Sequence, residues 1–387
     1  MQKIHLKRTK RINDGHLWVF SNELYENPKK YAAGSIVELY DMKDAFIGMG
    51  YINPQSLISV RILTRNRDTI DKEFLRRQIK DALLLREKLL GERDAMRLIY
   101  SEGDFLPGLI ADKYKNCLVI QFLTAGMEAM KKTIINLFDE MLMPDVIILR
   151  NDGRSRTLEG LALNKEIVKG NLDTLPVINE DGILFEINPY EGQKTGFFLD
   201  QRENRIALKN LIKGGKGLDL FCYTGAWSIH LASAGAEVTG IDESEKAVAQ
   251  ARSNAGINNL QDKAKFIKDD VFAFLKNEFL KNEQYDFIVL DPPAFVKSSS
   301  RIKEALKAYK VLNTICMKLI KKGGILATSS CSYHISREMF IDMLKASAKD
   351  SGKSIRLLSL RSQGPDHPIL LSMPETEYLK CAFLLIE

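Results

Sequence analysis

From Asp200 onward the chain alternates strictly between helical and strand-like stretches, and this regularity limits the fold more than any other feature. Short apolar runs at 217–221, 237–242, 265–268, 286–291 and 324–330 are separated by segments of helical period. Strands joined through helices are expected to lie parallel in one sheet with helices on both faces, since a parallel connection needs a crossover. In such a doubly wound sheet the carboxyl ends of several strands converge on one edge, and the chemistry is expected there.

The remainder is organised differently, as a length of 387 residues leads one to expect of a chain with more than one domain. Residues 1–70 read as short strands punctuated by Gly, Asn and Pro, for example Gly34-Ser-Ile-Val-Glu-Leu-Tyr40. At Asp71 a helical period begins, with Phe74, Leu75, Ile79, Leu83 and Leu84 on one face. Residues 71–188 read as a compact α+β unit with one helix at about 126–142, and 189–387 carry the alternating pattern. Ser298-Ser-Ser300 is the only low-complexity run.

No apolar run approaches the roughly 20 residues that span a bilayer, and the N-terminus lacks the apolar core of a signal peptide, so a cytoplasmic protein is expected. Five cysteines with no Cys-x-x-Cys pair argue against a disulfide framework or a zinc site. A net charge of +6 is mild and is commonly a matter of solubility. Its placement is more telling: Lys3, Lys7, Arg8, Lys10 and Arg11 precede the first acid, Asp14, and such a cluster can track phosphates. A homodimer is compatible with the sequence.

In Gly217-Leu-Asp-Leu-Phe-Cys-Tyr-Thr-Gly-Ala-Trp-Ser228 a buried strand runs into a tight turn and then a helix. Gly225 allows close approach of a ligand, and the helix start beyond it favours electron-rich groups. The Gly-x-Gly-x-x-Gly that cradles a pyrophosphate is missing, which disfavours NAD and favours a cofactor with one ribose and no phosphate, S-adenosylmethionine. Asp219, Tyr223, Thr224 and Gly225 line this turn. Asp242, closing the next strand about 20 residues on, is placed to accept the ribose hydroxyls or else to cap the helix from Ser244. Asp270 falls where adenine would lie, with Asp269 beside it as the alternative. In Glu191-Gly-Gln-Lys-Thr-Gly-Phe-Phe-Leu-Asp-Gln-Arg-Glu-Asn204, Asp200 and Glu203 form a capping-box pattern. Gln193 and the exposed-looking Phe197 and Phe198 read as a lid over the cofactor, with Arg202 a partner for the methionine carboxylate.

Cys331 is the candidate nucleophile. It sits in the polar run Thr328-Ser-Ser-Cys-Ser-Tyr-His334 at a strand end, whereas Cys117, Cys316 and Cys381 read as small buried hydrophobes and Cys222 is ambiguous. Cytosine carbon 5 is too weak a nucleophile to accept a methyl group unaided, and addition of a thiolate at carbon 6 activates it. Asp291, opening Asp291-Pro-Pro-Ala-Phe295, is suited to hold the N3/N4 edge of the base and also to contribute to the cofactor site. No base for the carbon 5 proton can be named.

Over essentially its full length the chain resembles the class I rRNA cytosine-5 methyltransferases that carry an N-terminal PUA domain. The matching stretches are Gly15-His-Leu-Trp-Val-Phe20, Glu102-Gly-Asp-Phe-Leu-Pro-Gly-Leu109, Gly192 to Arg202, Asp219 to Gly225, Asp291 to Phe295 and Ser330-Cys-Ser332. The resemblance implies an α/β protein with a small β-rich PUA domain, a central α+β domain and a Rossmann-like catalytic domain. It also implies S-adenosylmethionine as cofactor and 23S rRNA or a large-subunit precursor as partner. Ala294 stands where a sister group places a second cysteine, and Gly-His-Leu17 replaces the usual Gly-His-Pro. Two other readings stay open: a methyltransferase for exocyclic amines that uses Asp-Pro-Pro and an aromatic, and a non-catalytic RNA-binding assembly factor.

Overall fold

The computed structural model describes residues 2–295 and 301–387, so the Ser298–Ser300 run lies outside the described residues. The chain forms two compact units that interleave in sequence. The first comprises Met1–Ile178, Ile187–Leu199 and Pro365–Thr376, the second Asn179–Glu186, Asp200–Gly364 and Glu377–Glu387.

The first unit opens with strand β1 (Gln2–Leu6), the one-turn helix α1 (Lys10–Asn13), and strands β2 (Trp18–Phe20), β3 (Ile36–Asp41), β4 (Phe46–Ile52) and β5 (Ile58–Thr64). They form one sheet in the order β1-β3-β4-β5-β2, closed over Ile4, Leu6, Val19, Val37, Leu39 and Ile62. Helix α2 (Lys72–Leu90) starts where the period changes, because Asp71 accepts a bond from the Phe74 amide and caps it. Phe74, Leu75 and Ile79 are buried as expected, but Leu84 is 48% exposed. At about 100° per residue, Leu84 stands half a turn away from Leu75.

A second sheet, in the order β10-β9-β8-β7-β6, is built from β6 (Ala95–Tyr100), β7 (Leu109–Tyr114), β8 (Cys117–Phe122), β9 (Val146–Asn151) and β10 (Asn164–Lys169). The single helix expected at 126–142 is two, α3 (Ala125–Ala129) and α4 (Lys131–Leu142), because the backbone leaves helical geometry at Met130. The one-turn α5 (Ser155–Leu158) precedes β10. Inside this unit Arg86 is fully buried and paired with both oxygens of Asp104.

The second unit takes residues 179–186 from the hairpin of β11 (Val177–Glu180) and β12 (Ile183–Glu186). The expected alternation follows: α6 (Arg202–Leu211), β13 (Lys216–Leu220), α7 (Ala226–Ser233), β14 (Glu237–Asp242), α8 (Glu245–Ile257), β15 (Ala264–Lys268), α9 (Val271–Leu280), β16 (Tyr285–Leu290), α10 (Ile302–Leu319), β17 (Ile320–Ser330) and α11 (Arg337–Ser351). Strands β18 (Ile355–Arg361) and β19 (Lys380–Ile386) complete a seven-stranded sheet ordered β15-β14-β13-β16-β17-β19-β18. Its first five strands are parallel, and β19 inserts antiparallel between β17 and β18. Leu218, Leu220, Ile288, Leu290 and Leu326 are buried, the near-continuous apolar composition that a sheet covered on both faces requires.

The hairpin is fastened to the helices of this unit by charge. Glu180 accepts two bonds of 2.8 Å from the Arg205 guanidinium and lies 3.0 Å from His230 Nε2, and all three residues are buried. Burial opposes the charged carboxylate, but Arg205 and the His230 contact outweigh it and hold the Glu180 carboxyl down at about 2. Among the described residues no helix is long and apolar enough to cross a membrane.

Candidate active site

Beyond Leu220 the chain turns sharply, with Phe221 at φ 64°, Tyr223 at φ 48° and Gly225 at φ 81°. Two non-glycine residues in the left-handed region within one turn are costly and need support. Asp242, at the end of the adjacent strand β14, gives that support by accepting the Tyr223 amide at 2.9 Å. Its other oxygen accepts the Ser244 amide at 2.9 Å. The cap of α8 is Ser244 itself, which takes the Ala247 amide, so Asp242 is a turn-fixing, partly exposed carboxylate and not the helix cap.

Asp219 lies beneath the turn and is fully buried. One oxygen accepts the Ser228 amide at 3.0 Å and the Ser228 hydroxyl at 2.7 Å; the other has no hydrogen-bond partner among the described residues. Burial pushes its carboxyl up to about 7, helped by the charges of Asp291 and Asp242 and opposed by the Ser228 bonds. The buried Thr224 hydroxyl also lacks a partner among the described residues. Native interiors rarely leave buried polar atoms unpaired. An orphan carboxylate oxygen and an orphan hydroxyl at one turn fit a ligand that brings an ammonium and further polar groups, which S-adenosylmethionine does.

Asp291 leaves β16 and Cys331 leaves β17, neighbouring parallel strands, at the same carboxyl edge. The Asp291 carboxylate accepts Gln201 Nε2 at 3.0 Å and the Trp227 indole N–H at 3.2 Å. Gln201 is in turn bonded to Ser329 Oγ at 3.1 Å and accepts Asn204 Nδ2 at 2.7 Å. Cys331 is partly exposed, while the other four cysteines are buried. Burial pushes the thiols of Cys117 and Cys381 up to about 12 and those of Cys222 and Cys316 upward as well. Cys222 thereby joins the inert group. Phe295 packs on Tyr309 with ring centroids 4.8 Å apart and lies near Phe221 and Phe272, so it belongs to the core and not to a base-stacking platform.

Other sequence-predicted residues have partners within the chain. Asp270 is exposed and caps α9 by accepting the Ala273 amide at 2.8 Å, and Asp269 accepts the Asp270 amide. The capping box expected of Asp200 and Glu203 is not formed. A short 3-10 turn, Leu199–Gln201, precedes α6, whose cap is Gln201, and Asp200 accepts the Tyr378 hydroxyl at 2.6 Å. Arg202 pairs with Glu203 at 2.5 Å.

Gln193 and Phe198 belong to the first unit, where Gln193 is exposed and Phe198 half-buried under Lys194. Phe197, expected to be exposed, is buried. Thr195 donates to Asp112 at 2.6 Å, which anchors the segment read as a lid. In the basic cluster, Arg11 is spent on Glu23 and the Trp18 carbonyl, and Lys3 lies over the Tyr40 ring. No group of His, Cys, Asp and Glu suited to a metal is found among the described residues.

Sequence reasoning missed Gln201, Trp227 and Lys380. Gln201 and Trp227 stand inside motifs already singled out. Lys380 carried no signal, because only the out-of-order insertion of β19 brings it beside β17.

Residues 3–65 match the PUA-like domain family and residues 211–368 a methyltransferase domain family. The chain is 38% identical to the ribosomal RNA large subunit methyltransferase I of Shewanella frigidimarina, covering 98% of both chains. It is 35% identical to the protein of the same name in Pseudoalteromonas atlantica, over 97% of both. A solved structure described as a methyltransferase complexed with SAH superposes with a TM-score of 0.85 at 21% identity, covering 99% of this chain and 100% of that one.

Proposed function

Because the chain belongs to the ribosomal RNA large subunit methyltransferase I family, an S-adenosylmethionine-dependent methyltransferase family, we propose that it methylates carbon 5 of a cytidine in 23S rRNA, with Cys331 as covalent nucleophile. The observation that carries this reading is the position of Cys331. It is the one cysteine that is not buried, and it leaves the strand next to that of Asp291 at the edge where the orphan polar atoms of the cofactor turn lie.

When bound, S-adenosylmethionine supplies an electrophilic methyl group. Asp219, Tyr223, Thr224, Gly225 and Asp242 are the residues suited to hold it, with Arg202 toward the methionine carboxylate. The chain's own chemistry begins with the Cys331 thiolate, which forms a C6–S bond with the base and pushes the ring electrons toward carbon 5. Asp291, held by Gln201 and Trp227, orients the N3/N4 edge during addition. After methylation the carbon 5 proton leaves, its electrons restore the C5–C6 double bond, and the C6–S bond breaks to return the thiolate. The PUA-like module contributes RNA affinity through Lys7, Arg8 and Lys10.

The test is covalent trapping. RNA carrying 5-fluorocytidine at the target should form a stable adduct with the wild-type protein, because fluorine blocks the proton loss that releases the enzyme. Cys331→Ser should form none and should lose methyl transfer while still binding cofactor. Near wild-type methylation by Cys331→Ser, with no adduct in the parent, would overturn the cysteine mechanism.

A further inference from the structure

Lys380 is the first residue of β19 and is only 2% exposed. Strand register sets it opposite Ser330, the residue before Cys331. Its ammonium donates to the Ser332 carbonyl at 2.7 Å and to the Tyr378 carbonyl at 2.9 Å. Nζ is therefore held to the backbone one residue past Cys331, so the cysteine lies between Ser330 and Ser332, the two residues that Lys380 meets on that segment. Both acceptors are neutral. Among the described residues no carboxylate forms an ion pair with Lys380, in contrast to buried Arg86, Arg205 and Arg61, each of which has one.

A buried cation without an anion is expensive, and nature seldom keeps one unless an anion arrives. The surrounding charges narrow the choice of anion. Glu377 and Arg337 both act on Lys380 with opposite signs, but they are paired with each other at 2.5 Å. Asp291 and Tyr309 also face the Cys331 region: Asp291 is bonded to Gln201 and Trp227, and the Tyr309 phenol is pushed up by burial to about 12 and stays neutral. The Cys331 sulfur remains.

We infer that Lys380 is a positioning residue whose ammonium is the counter-charge of the Cys331 thiolate, so that the nucleophile is held ionised at neutral pH. The catalytic use of this pair rests on the proposed role of Cys331; the pair itself does not. Consistent with it, burial lowers the Lys380 ammonium to about 8, with the cysteine charge acting in the opposite direction. A lysine so balanced keeps its proton near neutrality while a thiolate is beside it, and the two titrate as a coupled pair.

The test is the pH dependence of Cys331 alkylation by iodoacetamide in the full-length protein, followed by peptide mass spectrometry. The other four cysteines are buried, so the native protein reports on Cys331. The wild-type midpoint should lie at least about one unit below the ordinary thiol value of about 8.5. Lys380→Met should raise it by about one unit or more, slowing alkylation at pH 7 by roughly tenfold. Lys380→Arg should restore most of the shift. Thermal melting and S-adenosylmethionine titration establish that each variant is folded.

A wild-type midpoint at or above the ordinary thiol value would overturn the pairing, and this requires no variant at all. So would an unchanged midpoint in folded Lys380→Met. If that midpoint moves but Cys331→Ser still methylates, the ion pair stands and the nucleophile assignment fails. If Cys331→Ser is inactive and the midpoint is unmoved, the nucleophile stands and the pair falls.

Discussion

The second unit buries two polar clusters that differ in how completely they are satisfied. At Glu180, Arg205 and His230, both carboxylate oxygens are engaged by a guanidinium and an imidazole. At the strand edge, Asp219 keeps one oxygen unpaired, Thr224 keeps its hydroxyl unpaired, and Lys380 is a cation with only neutral acceptors. In the first cluster the carboxylate is fully satisfied by the chain alone, though the buried His230 Nδ1 has no hydrogen-bond partner among the described residues, and the cluster works as a fastening. The second is incomplete in the chain alone, as a site awaiting a ligand or an ionised nucleophile must be. The two carboxyls record the difference with opposite shifts, Glu180 down to about 2 and Asp219 up to about 7.

The strongest way to break this comparison is to remove a partner from the complete cluster. Glu180→Gln leaves Arg205 buried without its anion and should destabilise the protein by about 3–5 kcal/mol, measured by urea unfolding. Because the Glu180 pKa is depressed in the folded state, its contribution is present above the ordinary value of 4.5 and is lost as pH falls toward about 2. The variant should be less stable than wild type at pH 7, and the gap should close on acidification. A constant gap would mean that Glu180 is not the titrating fastening.

The incomplete cluster should respond in ligand binding and in the pH dependence of the fold. Asp242→Ala should weaken S-adenosylmethionine binding by about 1.5–3 kcal/mol in calorimetry, the scale of hydrogen bonds to a charged acceptor. Unchanged affinity would remove Asp242 from the site. For Asp219 the pH effect runs the other way. Its raised folded pKa gives stability that is full below the ordinary value of 3.8 and is lost as pH rises through about 7. Asp219→Asn should flatten that loss in thermal melts of the cofactor-free protein. If the melting profile keeps its slope between these values, another group titrates there.

The weakest effects belong to charges that are neither buried nor paired. Lys7, Arg8 and Lys10 have no side-chain partner among the described residues, whereas Arg11 does. Replacing any of these three with Ala should flatten the log-affinity against log-salt slope for RNA by about 0.7–0.9. Arg11→Ala should instead lower stability, since it removes the bond to Glu23.

Local pattern made the parallel strands, the Asp219–Gly225 turn and the Asp291 and Cys331 strand ends legible, because each is written within a few consecutive residues. Pattern failed where partners are far apart. Glu180, Arg205 and His230 are separated by 25 and 50 positions, and no period links them. At Asp200 the local pattern suggests a capping box, but Tyr378, 178 residues away, takes the carboxylate that the box would use. Phe197 reads as exposed from its polar neighbours and is buried because Thr195 draws the segment down onto Asp112. Leu84 is apolar yet exposed, because the helical period carries it half a turn from Leu75 and away from the buried face.

The interleaving of the two units bears on how such a protein can change over generations. Each unit is assembled from three stretches of chain, so no single crossover point in the gene separates one from the other. A recombination event at residue 200 would deliver the seven-stranded sheet without Glu180 and strand Arg205 as an unpaired buried cation. Swapping the module for one from a different enzyme therefore demands several coordinated exchanges. Inheritance of the whole arrangement as one block is the easier course, and diversification should proceed through point substitutions at the strand edge while the fastening stays fixed.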